Sequence, residues 1–169
     1  TAIVNQFSVS KSSDAHSGSF SARLETKSTS FPGVIANGVI TTAQMICLAQ
    51  GGGQEGGMAY TDQLPDSLVG WYKYTPVNMD SAYAQLMFLA NNEMDTVSMT
   101  RINFHAAAEW TRFAVAVTSA SSSPELLSLI FNSSWGDGSQ GQAIVGSVFF
   151  IDDVELVFPF DIGVGDGPD

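Results

Sequence analysis

Short runs of alternating apolar and polar residues, each cut by a Gly, Pro or Asn turn, dominate this chain. Apolar residues recur every second position far more clearly than every third or fourth, so strands are expected and helices are not. Phe20-Ser-Ala-Arg-Leu24 places Phe20, Ala22 and Leu24 on one face and Ser21 and Arg23 on the other. Residues 38–48 read as one bent strand or two, 69–74 as a strand that stops at Pro76, and 82–90 as the next, followed by a turn at 91–95. Residues 97–107 and 111–118 read as a paired hairpin, 126–131 as a short buried strand, and 147–158 as the last strand, reached through a Gly/Ser-rich loop over 132–141. The glycine-rich stretch 51–57 is expected to stay irregular, because ordering glycine costs the most backbone entropy. Single helical turns at 106–110 and 122–127 would be too short to alter the class. About nine or ten strands at this spacing predict an all-β, antiparallel β-sandwich. With 169 residues, one domain over 1–160 is expected, followed by a Gly/Asp-rich linker or tail at 161–169.

The last strand carries an anomaly. Ser147-Val-Phe-Phe-Ile-Asp-Asp-Val-Glu-Leu-Val-Phe158 has two adjacent carboxylates inside an apolar run. Neighbouring strand residues face opposite ways, so strict alternation turns one of Asp152 and Asp153 inward beside Ile151, Val154 and Leu156. An ionised carboxylate there is costly unless a cation or several donors meet it. Calcium, a hard ion that takes oxygen ligands, fits that requirement. The other reading is an edge strand with both carboxylates near solvent.

Composition excludes several classes of function. Six Lys and Arg against 17 Asp and Glu give a net charge of −11. Nucleic acid is therefore not an expected partner, since phosphate binding relies on clustered cations. No apolar run approaches the roughly 20 residues of a membrane span, so membrane insertion is not expected. The lone Cys47 precludes an internal disulfide and reads as a small core residue. Low charge with many Ser, Thr, Asn and Gln suggests a secreted or cell-surface location. No nucleophile elbow, zinc-binding His pair or dinucleotide fingerprint occurs, and residues 51–57 lack the Lys and helix of a phosphate cradle.

Several segments, in order, resemble one bacterial family. They are Ser13-Asp-Ala-His-Ser-Gly-Ser-Phe-Ser-Ala-Arg-Leu-Glu-Thr26, Leu64-Pro-Asp-Ser-Leu-Val-Gly-Trp-Tyr-Lys-Tyr-Thr-Pro76, Asp80-Ser-Ala82, Glu109-Trp-Thr-Arg-Phe113, Phe131-Asn-Ser-Ser134, and Gly146-Ser147 leading into Ile151-Asp-Asp-Val-Glu-Leu156. Together they resemble the carbohydrate metabolism domain of secreted and cell-surface bacterial proteins. More broadly they resemble the calcium-containing jelly-roll carbohydrate-binding modules. The resemblance implies a jelly-roll, carbohydrate-binding-module-like sandwich, a monomer joined covalently to neighbouring domains, with a polysaccharide or other glycan as partner. It also implies that the turn at 14–19 lies beside the last strand, where Asp14 and Ser17 would join Asp152 and Asp153 around a structural calcium. Asp14 can instead cap its own loop. The family's aromatic-containing segment before this turn, which supplies a calcium ligand in the broader modules, is reduced here to residues 1–7.

A sugar-binding surface needs exposed aromatic planes beside polar groups that read hydroxyls. Trp71 and Lys73 share one face of their strand; because lysine is rarely buried, that face is expected to be outward. The alternative is a lysine that snorkels past a covered Trp71. Trp135, in the polar loop Ser133-Ser-Trp-Gly-Asp-Gly-Ser139, is the other expected stacking platform, with Tyr60 a further candidate. Trp110 is expected to plug the core, and His16 and His105 to be structural. The function expected is a non-catalytic glycan-binding module. Rival readings are a structural or adhesive spacer, and a carbohydrate-active enzyme using carboxylates from Glu93, Asp95 and Glu109.

Overall fold

In the computed structural model the alternating runs become strands; residues 7–30, 33–46, 53–90, 95–118, 123–135 and 143–159 are described. Fourteen strands lie among them: β1 (Val9–Ser12), β2 (Ser21–Glu25), β3 (Lys27–Ser28), β4 (Ile35–Ala36), β5 (Val39–Thr41), β6 (Gln44–Ile46), β7 (Gly53–Glu55), β8 (Met58–Ala59), β9 (Ser67–Thr75), β10 (Ala82–Ala90), β11 (Asp95–Phe104), β12 (Ala107–Ala116), β13 (Leu126–Asn132) and β14 (Val148–Val157). One sheet runs β1-β2-β14-β9-β12 and the other β11-β10-β13-β5, with β8 added beside β13. This is the expected antiparallel sandwich of jelly-roll type. No helix occurs among the described residues, and so none long and apolar enough to cross a membrane.

Period-two patterning explains how the sheets face each other. In β10, Ala82, Ala84, Leu86 and Phe88 are buried, while Tyr83, Gln85 and Met87 alternate with them on the outer face. β9 and β14 supply Leu68, Tyr74, Phe149 and Ile151 from the opposite sheet. The centre is aromatic: Phe104 lies 4.7 Å from Tyr72, 4.9 Å from Phe149 and 5.1 Å from Phe113, between ring centroids. Tilted and edge-on pairs of this kind add to what burial alone contributes. Gly70 makes room for Phe113, whose ring would lie 2.7 Å from any added Cβ.

Four local expectations are corrected. β11 and β12 are not a hairpin: they belong to different sheets, and the chain crosses from one to the other after Phe104. Alternation is the same for strands that pair and strands that face each other, so the pattern could not tell them apart. The two strands are instead laced at the sandwich edge, where Ser98 Oγ donates to Thr118 O (2.7 Å) and Thr100 Oγ1 to Ala116 O (3.2 Å). Residues 107–110 are strand, not a helical turn, and of the expected turn at 122–127 the described residues 123–125 are not helical and Leu126 already opens β13. Within the glycine-rich stretch, β7 pairs with β6, because backbone hydrogen bonds to a neighbouring strand offset glycine's entropy. Cys47, Glu93 and the tail at 161–169 lie outside the described residues.

Candidate functional site

Two groups of side chains stand out, one on each outer face of the sandwich. The first is built where β14 breaks its alternation. A bulge interrupts the β14–β9 register between Asp152 and Glu155, and Asp153 adopts a left-handed φ of 46°. Asp is among the few residues that tolerate this conformation, and its amide is held by Asp152 Oδ1 at 2.9 Å. A bulge re-aims side chains, so neither carboxylate points into the core. Asp152 is half-buried and Asp153 exposed. The inward carboxylate expected from strict alternation does not occur.

The turn after β1 folds over this corner, as the resemblance implied. His16 N–H donates to Asp152 Oδ2 at 2.8 Å, and Ser17 N–H to the same oxygen at 3.3 Å. His16 Nδ1 lies 2.7 Å from Asp153 Oδ2, and Ser17 Oγ donates to Asp153 Oδ1 at 2.7 Å. The His16 ring stacks on Trp71 at 3.8 Å and 12°. Asp14 turns away from β14 toward β9 and β12, accepting from Lys73 Nζ at 2.9 Å and from Trp110 Nε1 at 3.1 Å. Lys73 and then Trp110 hold the Asp14 carboxyl below the usual carboxylate range, although partial burial works against them. His16 and Ser17 do the same for Asp153. Trp110 is thus an outer-face residue, not the expected core plug, because it lies three positions before the buried Phe113 and alternation puts the two on opposite faces.

Ser17, Asp152 and Asp153 come into one corner, with Asp14 beside it on Lys73 and Trp110. The carboxylate oxygens meet N–H and O–H donors, which supply what a cation would otherwise supply. Among the described residues no three His, Cys, Asp or Glu side chains converge as metal ligands.

The second group lies on the outer face of the other sheet. Tyr83, Gln85 and Met87 of β10 alternate outward, and the register sets them against Asn103, Arg101 and Met99 of β11. On the other side Tyr83 faces Asn132 of β13. The Tyr83 hydroxyl accepts from Asn132 Nδ2 at 3.2 Å. Beyond Asn132 the loop brings Trp135 edge-on to Tyr83, with centroids 5.7 Å apart. Trp135 is 47% exposed. The Arg101 guanidinium lies 4.0 Å from the Tyr83 ring centroid and 3.7 Å from that of Trp135. Burial against these rings lowers the Arg101 pKa from its ordinary value.

A polar scaffold beneath the loop fixes Trp135. Ser133 and Ser134 are fully buried. Gly38 N–H donates to Ser133 Oγ (2.9 Å), which lies 2.7 Å from Thr26 Oγ1. Thr26 Oγ1 donates to Asn37 Oδ1 (3.3 Å), and Asn37 Nδ2 donates to Ser134 O (3.3 Å). Gly38 is required by close approach, since an added Cβ would lie 2.5 Å from Glu25 N. The buried Tyr74 hydroxyl donates to Ser133 O at 3.1 Å, and burial pushes that phenol's pKa up. Asp80 ties the far side, accepting from Trp135 N–H (3.4 Å) and Ser147 Oγ (2.6 Å).

Of the residues expected to bind sugar, Trp71 and Lys73 share the first outer face and Trp135 stands on the opposite side of the molecule. Tyr60 is corrected: it is 8% exposed, packs edge-on against Phe88 at 5.0 Å, and donates its hydroxyl to Gln63 O at 2.5 Å. A residue followed closely by a turn looked exposed, but its strand neighbour β8 seats it in the core. Tyr83, Gln85, Arg101, Asn103 and Asn132 were missed by sequence reasoning. The alternation in Ala82-Tyr-Ala-Gln-Leu-Met-Phe88 already placed Tyr83 and Gln85 on one polar face.

No family model matches the chain, and no curated protein matches it. Solved structures share its fold. A candidate glycoside hydrolase from Bacteroides vulgatus superposes with a TM-score of 0.69 at 21% identity, over 89% of this chain and 77% of that one. Another from Bacteroides thetaiotaomicron gives 0.68 at 20% identity, over 92% of this chain. This chain spans 58% of the length of that protein. A family 16 carbohydrate-binding module gives 0.51 at 14% identity, over 90% of this chain and 87% of that one. At these identities the likeness establishes the β-sandwich fold.

Proposed function

We propose that this domain is a non-catalytic glycan-binding module of a larger secreted or cell-surface bacterial protein, and that it binds sugar on the outer face of the second sheet. The observation that supports this most is the fixed Tyr83–Trp135 pair beside Gln85 and Asn103, with the buried Asn132 amide holding the Tyr83 hydroxyl from below. Aromatic planes supply stacking area for the C–H faces of a pyranose, and amides donate to and accept from its hydroxyls. The buried Thr26–Asn37–Ser133 scaffold holds the platform before any ligand arrives, which lowers the ordering cost of binding. The fold neighbours, a carbohydrate-binding module and two candidate glycoside hydrolases, are consistent with a carbohydrate ligand. The Trp71–Lys73 face is less suited: His16 covers one side of Trp71, and Lys73 is spent on Asp14.

The rival enzyme reading finds little geometric support. A glycosidase needs two carboxylates roughly 5–9.5 Å apart across the sugar. Asp95 opens β11 while Glu109 sits near the start of β12, in the other sheet. At about 3.4 Å per residue along β11, the two are more than about 20 Å apart. Glu93 lies outside the described residues.

A glycan array run beside a hydrolysis assay tests the proposal. A glycan signal without product, lost in Trp135→Ala and Tyr83→Ala but kept in Trp71→Ala, is the expected result. Turnover of a bound glycan would refute the non-catalytic reading. Silence in both assays would favour a structural spacer.

A further inference from the structure

Arg101 is an unusual choice for the floor of a neutral sugar site. In a chain of net charge −11 with six Lys and Arg in all, it is the one cation on the outward positions of β10, β11 and β13. The solvent-facing ones otherwise hold Tyr83, Gln85, Met87, Met99 and Asn103, none of them a carboxylate, while Ser128, Ile130 and Asn132 beside them on β13 are buried. Of the other cations, Arg23 and Lys27 share Glu25, Lys73 meets Asp14, and Lys11 lies over the Phe20 ring. Arg101 has no ion pair among the described residues. Its guanidinium carbon lies over both rings, 4.0 Å from the Tyr83 centroid and 3.7 Å from that of Trp135. The rings are inclined at 74°, so these are cation–π contacts that use the charge and leave N–H donors of the rigid fork for a ligand.

We infer that the glycan bound on this face is anionic, carrying a carboxylate or a sulfate ester that docks on the N–H edge of Arg101. This rests on the glycan-binding reading above and deepens it to a ligand class. A charge-assisted, often bidentate pair with a carboxylate or sulfate is the interaction this fork makes best. Partial desolvation by two aromatic rings strengthens that attraction relative to open water. The negative net charge does not prevent it, because carboxylates more than about 8–10 Å away are largely screened at physiological salt. With Tyr83 and Trp135 flanking it, the cation sits where a ring substituent of a stacked sugar would reach.

Two matched probe pairs test the inference by isothermal titration: oligogalacturonate against its methyl ester, and a sulfated against an unsulfated galacto-oligosaccharide. At least one acidic member is expected to bind tenfold or more tightly than its neutral partner. That advantage should shrink in 0.5 M salt, by about the screening expected of one ion pair. Arg101→Gln should erase the difference between partners, and Arg101→Lys, which keeps the charge but loses the fork, should retain part of it. Melting curves of both variants establish that the fold is kept. Which pair shows the preference tells carboxylate from sulfate. Neutral partners binding as tightly as acidic ones, with binding lost in Trp135→Ala, would overturn the anionic class and leave the glycan face standing. Silence from all four probes also overturns it, and a silent glycan array alongside would remove the glycan-binding reading as well.

Discussion

Replacing Ser133 by alanine removes one oxygen from a fully buried chain of hydrogen bonds. Gly38 N–H donates to that oxygen, and Thr26 Oγ1 lies 2.7 Å from it. Ser133, Thr26 and their surroundings exclude solvent, with both residues at 0% exposure. The orphaned Gly38 amide costs about 1–3 kcal/mol, and loss of the hydroxyl–hydroxyl bond adds about 1 kcal/mol. The expected loss is therefore about 2–4 kcal/mol, or a drop in Tm of about 4–16 °C for a domain of this size. Urea denaturation with linear extrapolation measures it, with exposed Ser13→Ala as a control that should stay within about 0.5 kcal/mol. A cycle with Thr26→Val should be non-additive by at least about 0.5 kcal/mol, since the two hydroxyls share one bond. Because the same oxygen fixes the approach to Trp135, glycan affinity should weaken as well. A loss under 1 kcal/mol, with additive doubles, would show that this scaffold does not set the loop.

Three further outcomes are expected. Trp135→Ala should weaken an identified glycan by about 1–3 kcal/mol, by analogy with other aromatic stacking platforms, while Trp71→Ala leaves affinity unchanged; equal losses by titration would put the first sheet back in the site. Asp14 and Asp153 have folded pKa values depressed below their unfolded ones, so their stabilising contribution is present above the unfolded carboxylate range near pH 4 and is lost as pH falls through the lower folded values. Acid denaturation followed by circular dichroism should therefore be shallower for the double variant Asp14→Asn, Asp153→Asn, and an unchanged profile would refute the linkage. Calcium that binds the folded corner at Asp152 and Asp153 should raise Tm when added after chelation; a rise that Asp152→Ala abolishes, with altered Trp71 fluorescence, would establish calcium there, and an identical melt would count against it.

The fold was legible because strand, face and turn are local properties. Ala82–Ala90 shows its buried side in its own residues, and the structure keeps it; at 20–24 Leu24 is buried as its alternation implies, but Phe20 is 51% exposed and Ser21 is buried. What was not legible is which strand neighbours which. β11 and β12 follow each other in sequence yet lie in different sheets, and nothing in either run distinguishes pairing from facing. Parity also fails wherever a bulge adds a residue. The bulge after Asp152 turned a carboxylate expected inside toward solvent, whereas Trp110 is outward by plain alternation from the buried Phe113.

The three tryptophans show why a site is harder to read than a fold. Each has an indole beside a strand or loop of similar polarity, and sequence alone ranks them by their immediate neighbours. What decides their use is supplied from far along the chain. His16, 55 residues before Trp71, stacks on its ring, and Asp14 takes the Trp110 N–H and the Lys73 ammonium together. Those contacts consume the groups that would otherwise meet a sugar, and they make the first face a structural corner. Trp135 is held from below through Ser133, Ser134 and Asp80, which occupy its backbone and leave much of its ring exposed. Arg101 then adds an unpaired charge beside that ring. The proposed glycan face is therefore the one where Asp80 grips the Trp135 main chain while about half of the ring stays exposed, a distinction that exists only once residues 14, 16, 80 and 101 have been brought to their tryptophans.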